Sequence, residues 1–152
     1  MADNRLTIGW REWLSLPELG IPAIRAKTDT GARTSALHTF QLETFEDEDG
    51  RLKVRFGVHP VRQRTDVALF CVAEVVDRRI VRSSGGHATE RVVIRTPVRL
   101  GKEQWPIEIT LTNREKMKFR MLLGRTAMAG RVLVDPQASY LLGQKLKRVY
   151  HR

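Results

Sequence analysis

Cysteine is nearly absent from this chain. Cys71, within the apolar run VALFCVAEVV, is the single one, so no internal disulfide can form and a disulfide-stapled scaffold is excluded. No apolar run approaches the ~20 residues that a membrane-spanning helix needs. The opening stretch MADNRLTIGWREW has no basic segment followed by an apolar one, so no signal peptide and a cytoplasmic location are expected. Aromatic residues make up 7% of the chain, which is low for a base-stacking surface. Repeats, low-complexity segments and linkers rich in Pro, Gly or Ser are missing too. One domain is therefore expected over all 152 residues, with its core at about 8–143 and a basic tail at 144–152.

Acidic residues are also scarce. Lys and Arg number 27 against 17 Asp and Glu, a formal net charge of +10, and ETFEDEDG (43–50) holds a good part of the acids. Such a balance suits a polyanionic partner, whether nucleic acid, an anionic surface or an acidic peptide, or else it serves solubility alone. The histidines, His38, His59, His87 and His151, are scattered, and there is no H-E-x-x-H or C-x-x-C, so no metal is expected. Neither a phosphate-binding glycine loop nor a G-x-S-x-G elbow occurs, so no nucleotide cofactor is expected and nothing supports a serine nucleophile.

What the chain does have is alternation. RVVIRTPVRL sets Val92, Ile94, Thr96, Val98 and Leu100 on one face and Arg91, Arg95 and Arg99 on the other. WPIEITLTN does likewise, with Ile107, Ile109 and Leu111 inward and Glu108, Thr110 and Thr112 outward. RLKVRFGV and DVALFCVAEVV predict two more strands, the second apolar enough to be central. Asp49-Gly50 marks one hairpin turn, and VRSSGGHATERVV predicts another hairpin with a flexible tip. One short helix is expected within Gly124 to Gly130. The fold class is mainly β, a mostly antiparallel small closed barrel.

Asp29 is the candidate for chemistry. AIRAKT runs into it as a strand, and Thr30-Gly31-Ala32 turns the chain before the next strand near Thr34. Gly31 gives such a turn its freedom, Thr30 can offer an inward hydroxyl, and backbone N–H groups can hold the carboxylate. Downstream stands LLGRTAMAGRVLVDP, where Gly124 and Arg125 open the short helix. No second D-[ST]-G occurs.

Together AKTDTGARTSALH, VRSSGGHATERVVIRT and LLGRTAMAGRVLVDP resemble the retropepsin-like aspartic peptidases, and among them the bacterial family named ATP-dependent zinc protease. The resemblance runs from about Ile8 to Gly143. It implies a single-domain retropepsin fold and a homodimer in which each chain supplies one catalytic Asp29, with Thr30, Gly31 and Ala32 as the active-site turn. It also makes Gly124 and Arg125 structural supports beside the site, and the Gly85-Gly86 hairpin a flap whose Ser83, Ser84 or His87 could contact a bound peptide. Members of that family are often linked genetically to ligases that append glutamates to a ribosomal protein.

Lys27 shares a strand face with Asp29, and Arg33 follows the turn, so both are candidate contacts for acidic substrate side chains. Solvent exposure of Lys27 and pairing of Arg33 with Asp135 are the alternative. The expected activity is an aspartic endopeptidase cleaving a glutamate-rich peptide or a glutamate-modified protein such as a ribosomal one. The competing expectation is a non-catalytic basic β-barrel module that binds RNA or a ribosomal surface.

Overall fold

The computed structural model describes residues 5–62, 64–82, 85–113 and 118–150. Eleven strands and one helix follow in order: β1 (Leu6–Gly9), β2 (Arg11–Leu16), β3 (Ile21–Asp29), β4 (Ser35–His38), β5 (Phe40–Glu46), β6 (Leu52–Val58), β7 (Leu69–Arg82), β8 (Ala88–Leu100), β9 (Glu103–Thr112), β10 (Met121–Gly124), α1 (Arg125–Met128) and β11 (Val132–Asp135). Short 3-10 turns occupy Pro17–Leu19 and Lys145–Arg148. Mainly β architecture with one short helix is what the alternation predicted.

Nine strands form one sheet in the order β2-β3-β10-β4-β9-β8-β7-β6-β5, and β1 pairs separately with β11. The sheet curls back on itself where β2 meets β8, at Ser15 opposite Arg99. Strands β7, β6 and β5 lie beyond that closing pair, so the molecule is a curled sheet with an overhanging end rather than a fully closed barrel. Most pairings are antiparallel, but three are parallel: β1–β11, β3–β10 and β4–β9.

One core runs through the ring and under the overhanging strands. Leu14, Leu16, Ile21, Ile24, Leu37, Phe56, Ile94, Leu100, Ile109 and Met121 are all fully buried. Each side chain of this size contributes roughly 1.5–3 kcal/mol by leaving water. On β8, Ile94, Thr96, Val98 and Leu100 point inward while Arg95 and Arg99 stay exposed, as the pattern predicts. Two expectations are corrected. Thr110 and Thr112 are buried rather than outward, because β4 runs alongside β9 and the Thr110 hydroxyl donates to the Ser35 carbonyl at 3.2 Å. Strand β7 does lie between β8 and β6, yet one of its faces is open, with Phe70 at 66% exposure.

Both predicted hairpins form. The acidic turn joins β5 to β6, with Gly50 at a φ of 78°. The Asp47 carboxylate accepts from the Asp49 and Arg51 amides there, and these bonds together with Lys53 hold it below the ordinary carboxylate range. The β7–β8 hairpin is the longer one. Its outer pairs, from Arg79–Arg91 to Arg82–Ala88, run toward the tip at residues where β8 has no recorded β9 partner.

The C-terminal segment packs on the body. Tyr150 donates its hydroxyl to the Ala23 carbonyl and accepts from the Ala23 amide at 3.3 Å. Among the described residues, no helix is long and apolar enough to cross a membrane.

Candidate active site

Strands β3 and β4 are consecutive in sequence but not neighbours in the sheet, because β10 is inserted between them. The chain leaving β3 at Asp29 must therefore cross the end of β10 before it enters β4 at Ser35. That crossing is the Asp29-Thr30-Gly31-Ala32 turn. Strand β10 runs parallel to β3, with Leu123 opposite Thr28 and Gly124 opposite Asp29. It runs antiparallel to β4, with Leu122 opposite Ala36.

Backbone hydrogen bonds lock the crossing. The Ala32 amide donates to the Asp29 carbonyl at 3.2 Å, closing the turn. The Arg125 amide donates to the Ala32 carbonyl at 2.7 Å, and the Thr126 amide donates to the Arg33 carbonyl at 2.9 Å. The Gly124 amide donates to the Ser35 hydroxyl at 2.9 Å, and the Arg125 guanidinium donates to the Thr30 carbonyl at 3.2 Å. Gly124 and Arg125, expected as supports beside the site, thus hold the crossing through the Gly124 amide and through both the amide and the guanidinium of Arg125.

The Asp29 side chain is half-buried. A β-carbon on Gly31 would stand 3.5 Å from its Oδ1, in ordinary van der Waals contact. Among the described residues the carboxylate has no recorded hydrogen bond or ion pair. It is an acid on a rigid backbone with its acceptor sites free.

Thr30 and Gly31 are exposed on the single chain, so Thr30 does not point inward as expected. The inward hydroxyl belongs to Thr28, which donates to the Trp10 carbonyl at 3.0 Å. Lys27 and Arg33 are exposed, and neither pairs with Asp29 or Asp135. Gly85, Gly86 and His87 are exposed at the β7–β8 tip, where Gly86 has a φ of 84°. Ser83 and Ser84 lie outside the described residues.

Sequence reasoning missed Ser35, the β4 residue whose hydroxyl takes the Gly124 amide. Its position just after the turn, ahead of the apolar pair Ala36-Leu37, was the available signal. Trp105 is buried, and its indole N–H donates to the Ala127 carbonyl at 2.9 Å, a bond the sequence does not signal that anchors α1 to β9.

A D-T-G-A strand end threaded past a parallel L-L-G-R strand, one carboxylate to a chain, defines a retropepsin-like domain. Residues 7–145 match the family model described as "Retropepsin-like aspartic endopeptidase RimB", and the chain belongs to this RimB-like family. The description carries neither zinc nor ATP, so the zinc-protease name suggested by resemblance gives way to it. Curated relatives are named "Probable alpha-L-glutamate ligase". Those from Shewanella pealeana and Desulfotalea psychrophila are 46% identical over 95% of this chain and 49% identical over 92%. The chain spans about a third of their length, 31% and 30% respectively. A solved structure of Lpg0085, a protein of unknown function from Legionella pneumophila, aligns with a TM-score of 0.75 at 26% identity. That alignment covers 92% of this chain and 99% of the other.

Proposed function

We propose that this protein is an aspartic endopeptidase that works as a homodimer and cleaves glutamate-rich peptides. The observation that carries the reading is Asp29 itself: one unpartnered carboxylate on a turn clamped from below by Gly124 and Arg125, and exposed around Thr30 and Gly31. An aspartic peptidase needs two such acids in contact, and a twofold axis at the exposed turn supplies the second. Two adjoining carboxylates cannot both ionise readily, so the pair keeps one proton and titrates as a unit.

The chemistry follows from that shared proton. The ionised Asp29 takes a proton from a water molecule as the water oxygen bonds to the scissile carbonyl carbon. The protonated Asp29 of the second copy gives its proton to the carbonyl oxygen. As the tetrahedral diol collapses the dyad gives its proton to the leaving nitrogen, the C–N bond breaks, and one diol hydroxyl passes its proton back to the dyad, which is again singly protonated.

Glutamate as the substrate feature is supported by two observations. The net charge of +10 favours acidic ligands, and the relatives that contain a domain like this one bear the name alpha-L-glutamate ligase. A ligase of that name joins glutamate, and hydrolysis is the opposing reaction. The test is mass spectrometry of glutamate-rich peptides incubated with wild type and with Asp29→Asn, in EDTA and without nucleotide. Cleavage by wild type alone is expected. Equal cleavage by Asp29→Asn ends the aspartic-peptidase reading.

A further inference from the structure

A second concentration of charge lies up strand β3 from the acid. A cavity of about 230 Å³ is lined, among the described residues, by six cations, Arg25, Arg62, Arg64, Lys118, Arg120 and Lys147, and by no Asp or Glu. They come from separate stretches of chain: β3, the loop between β6 and β7, the approach to β10, and the C-terminal segment. Of the six, only Arg64 has an ion-pair partner among the described residues, Asp66 at 2.9 Å.

The cluster is a built concavity rather than a solvated surface run. The Arg25 guanidinium carbon stands over the Phe119 ring, 4.7 Å from its centroid, and the guanidinium donates to the Tyr140 hydroxyl at 3.3 Å. Arg64 is tethered to the Tyr150 carbonyl at 3.3 Å. The Nε of Arg120 is buried and has no hydrogen-bond partner among the described residues. Burial, and secondarily the charge of Arg62, hold Arg120 below the ordinary guanidinium value. Like charges gathered with one counter-ion among the described residues, Asp66 on Arg64, repel, and an anionic ligand reduces that cost.

Position and wall chemistry favour a peptide over RNA. The Phe119 ring is covered by Arg25 on one side and meets Trp10 edge-on at 5.9 Å, so it is not a free stacking platform. Arg25, Lys27 and Asp29 are spaced two apart and share one face of β3. At ~3.3 Å per residue, Arg25 stands roughly 13 Å from Asp29 along the strand. An extended peptide covers that span in about four residues.

We infer that this cavity is an acidic subsite. It takes the carboxylates of substrate glutamates lying about four residues from the bond positioned at Asp29. The inference rests on the proposed peptidase function and adds the place where glutamate is selected.

The test reads binding in Asp29→Asn, which cannot cut, by fluorescence anisotropy. The labelled probes are a peptide carrying a glutamate run, the same peptide with glutamine in its place, and an oligouridylate. Arg62→Glu and Lys118→Glu are made in that background, both at exposed positions. With both reversals the glutamate peptide is expected to bind about tenfold or more weakly, and the loss is confined to that probe. Arg120→Gln tests the buried member and should shift binding in the same direction. Unchanged affinity for the glutamate peptide overturns the subsite, as does a loss seen with oligouridylate instead. The two readings fail separately. If wild type cuts nothing but the charge reversals still abolish glutamate binding, the peptidase reading falls and the subsite stands. If Arg62→Glu with Lys118→Glu cuts the glutamate peptide at the wild-type rate, the subsite falls and the peptidase stands.

Discussion

Gly124 stands directly opposite Asp29 in the parallel pairing of β10 with β3, and nothing larger than hydrogen fits at its α-carbon. A β-carbon there would lie 2.5 Å from the Thr34 carbonyl carbon and 2.7 Å from the Ser35 nitrogen, both main-chain atoms. The requirement is steric, since Gly124 has an ordinary extended backbone with φ of −86°. Gly124→Ala is expected to cost roughly 1–3 kcal/mol by pushing the turn off β10. Activity should fall further than stability, because the displaced turn carries the acid. Denaturant melts and peptide assays on one preparation check this, and an unaltered midpoint would remove the steric argument.

Glu12 gives the second prediction. It is 1% exposed, and its carboxylate accepts the Gly9 amide at 2.7 Å, the Leu141 amide at 2.8 Å and the Leu142 amide at 3.1 Å. One side chain thereby fastens the β1 end and the C-terminal loop to β2. Glu12→Ala leaves three buried or half-buried donors to find water, at a cost of about 2–4 kcal/mol. Glu12→Gln should recover only part of that, because its NH₂ group turns a donor toward donors. Equal stability of all three proteins would contradict the account.

Much of the fold was legible because its signals are local. Two-residue alternation marks β8 and β9, Asp49-Gly50 marks a hairpin, and an acid followed by Thr-Gly marks a strand end that turns sharply. The insertion of β10 between β3 and β4 leaves no such mark, since pairing between distant segments imposes no period on either. Ser35 and Glu12 were overlooked for the same reason. Their partners are main-chain amides 89 and 129 residues away, and nothing in the local pattern marks either side chain as reaching them. The cation cavity was invisible as a unit because separate parts of the chain converge on it. The arginine row of β8 is visible in the sequence, but there Arg95 stands opposite Glu108 across the β8–β9 ladder.

Alkaline pH should weaken the fold at two places. Burial pushes the Cys71 thiol up from 9.0 to about 11, and burial also raises the Tyr150 hydroxyl, with the Ala23 bond partly opposing. Both groups are neutral when protonated, so the folded state favours the protonated form. Their contribution is fully present below the unfolded values, near 9.0 for Cys71 and 10.0 for Tyr150, and is lost as pH rises through the folded ones. For Cys71 the loss is roughly 2 kcal/mol by pH 11. Urea midpoints across this range should fall less steeply in Cys71→Ala and in Tyr150→Phe than in wild type. Identical slopes in all three would place the alkaline loss elsewhere. The folded thiol should also resist alkylation at pH 8, where little of it is thiolate.

Subunit mixing gives the most direct test of the single-carboxylate architecture. If each active unit takes one Asp29 from each of two copies, an Asp29→Asn subunit disables any wild-type subunit it pairs with. With three mutant chains to each wild-type chain, random exchange leaves about one quarter of wild-type subunits in fully wild-type pairs. Activity per wild-type subunit should therefore fall to about a quarter, and continue down in proportion to the wild-type fraction. The subunits must be exchanged before the assay, by mixing at low concentration or by co-expression with distinguishable tags. A chain that uses Asp29 alone would show no change per wild-type subunit at any ratio. A binding module would show no hydrolysis to poison, while Asp29→Asn would bind its ligand as wild type does. Size-exclusion measurements of Asp29→Asn should match wild type throughout, because the clamps on the turn are made by main-chain atoms of Asp29, Ala32 and Arg33 and by the Thr30 carbonyl, none of which the substitution touches.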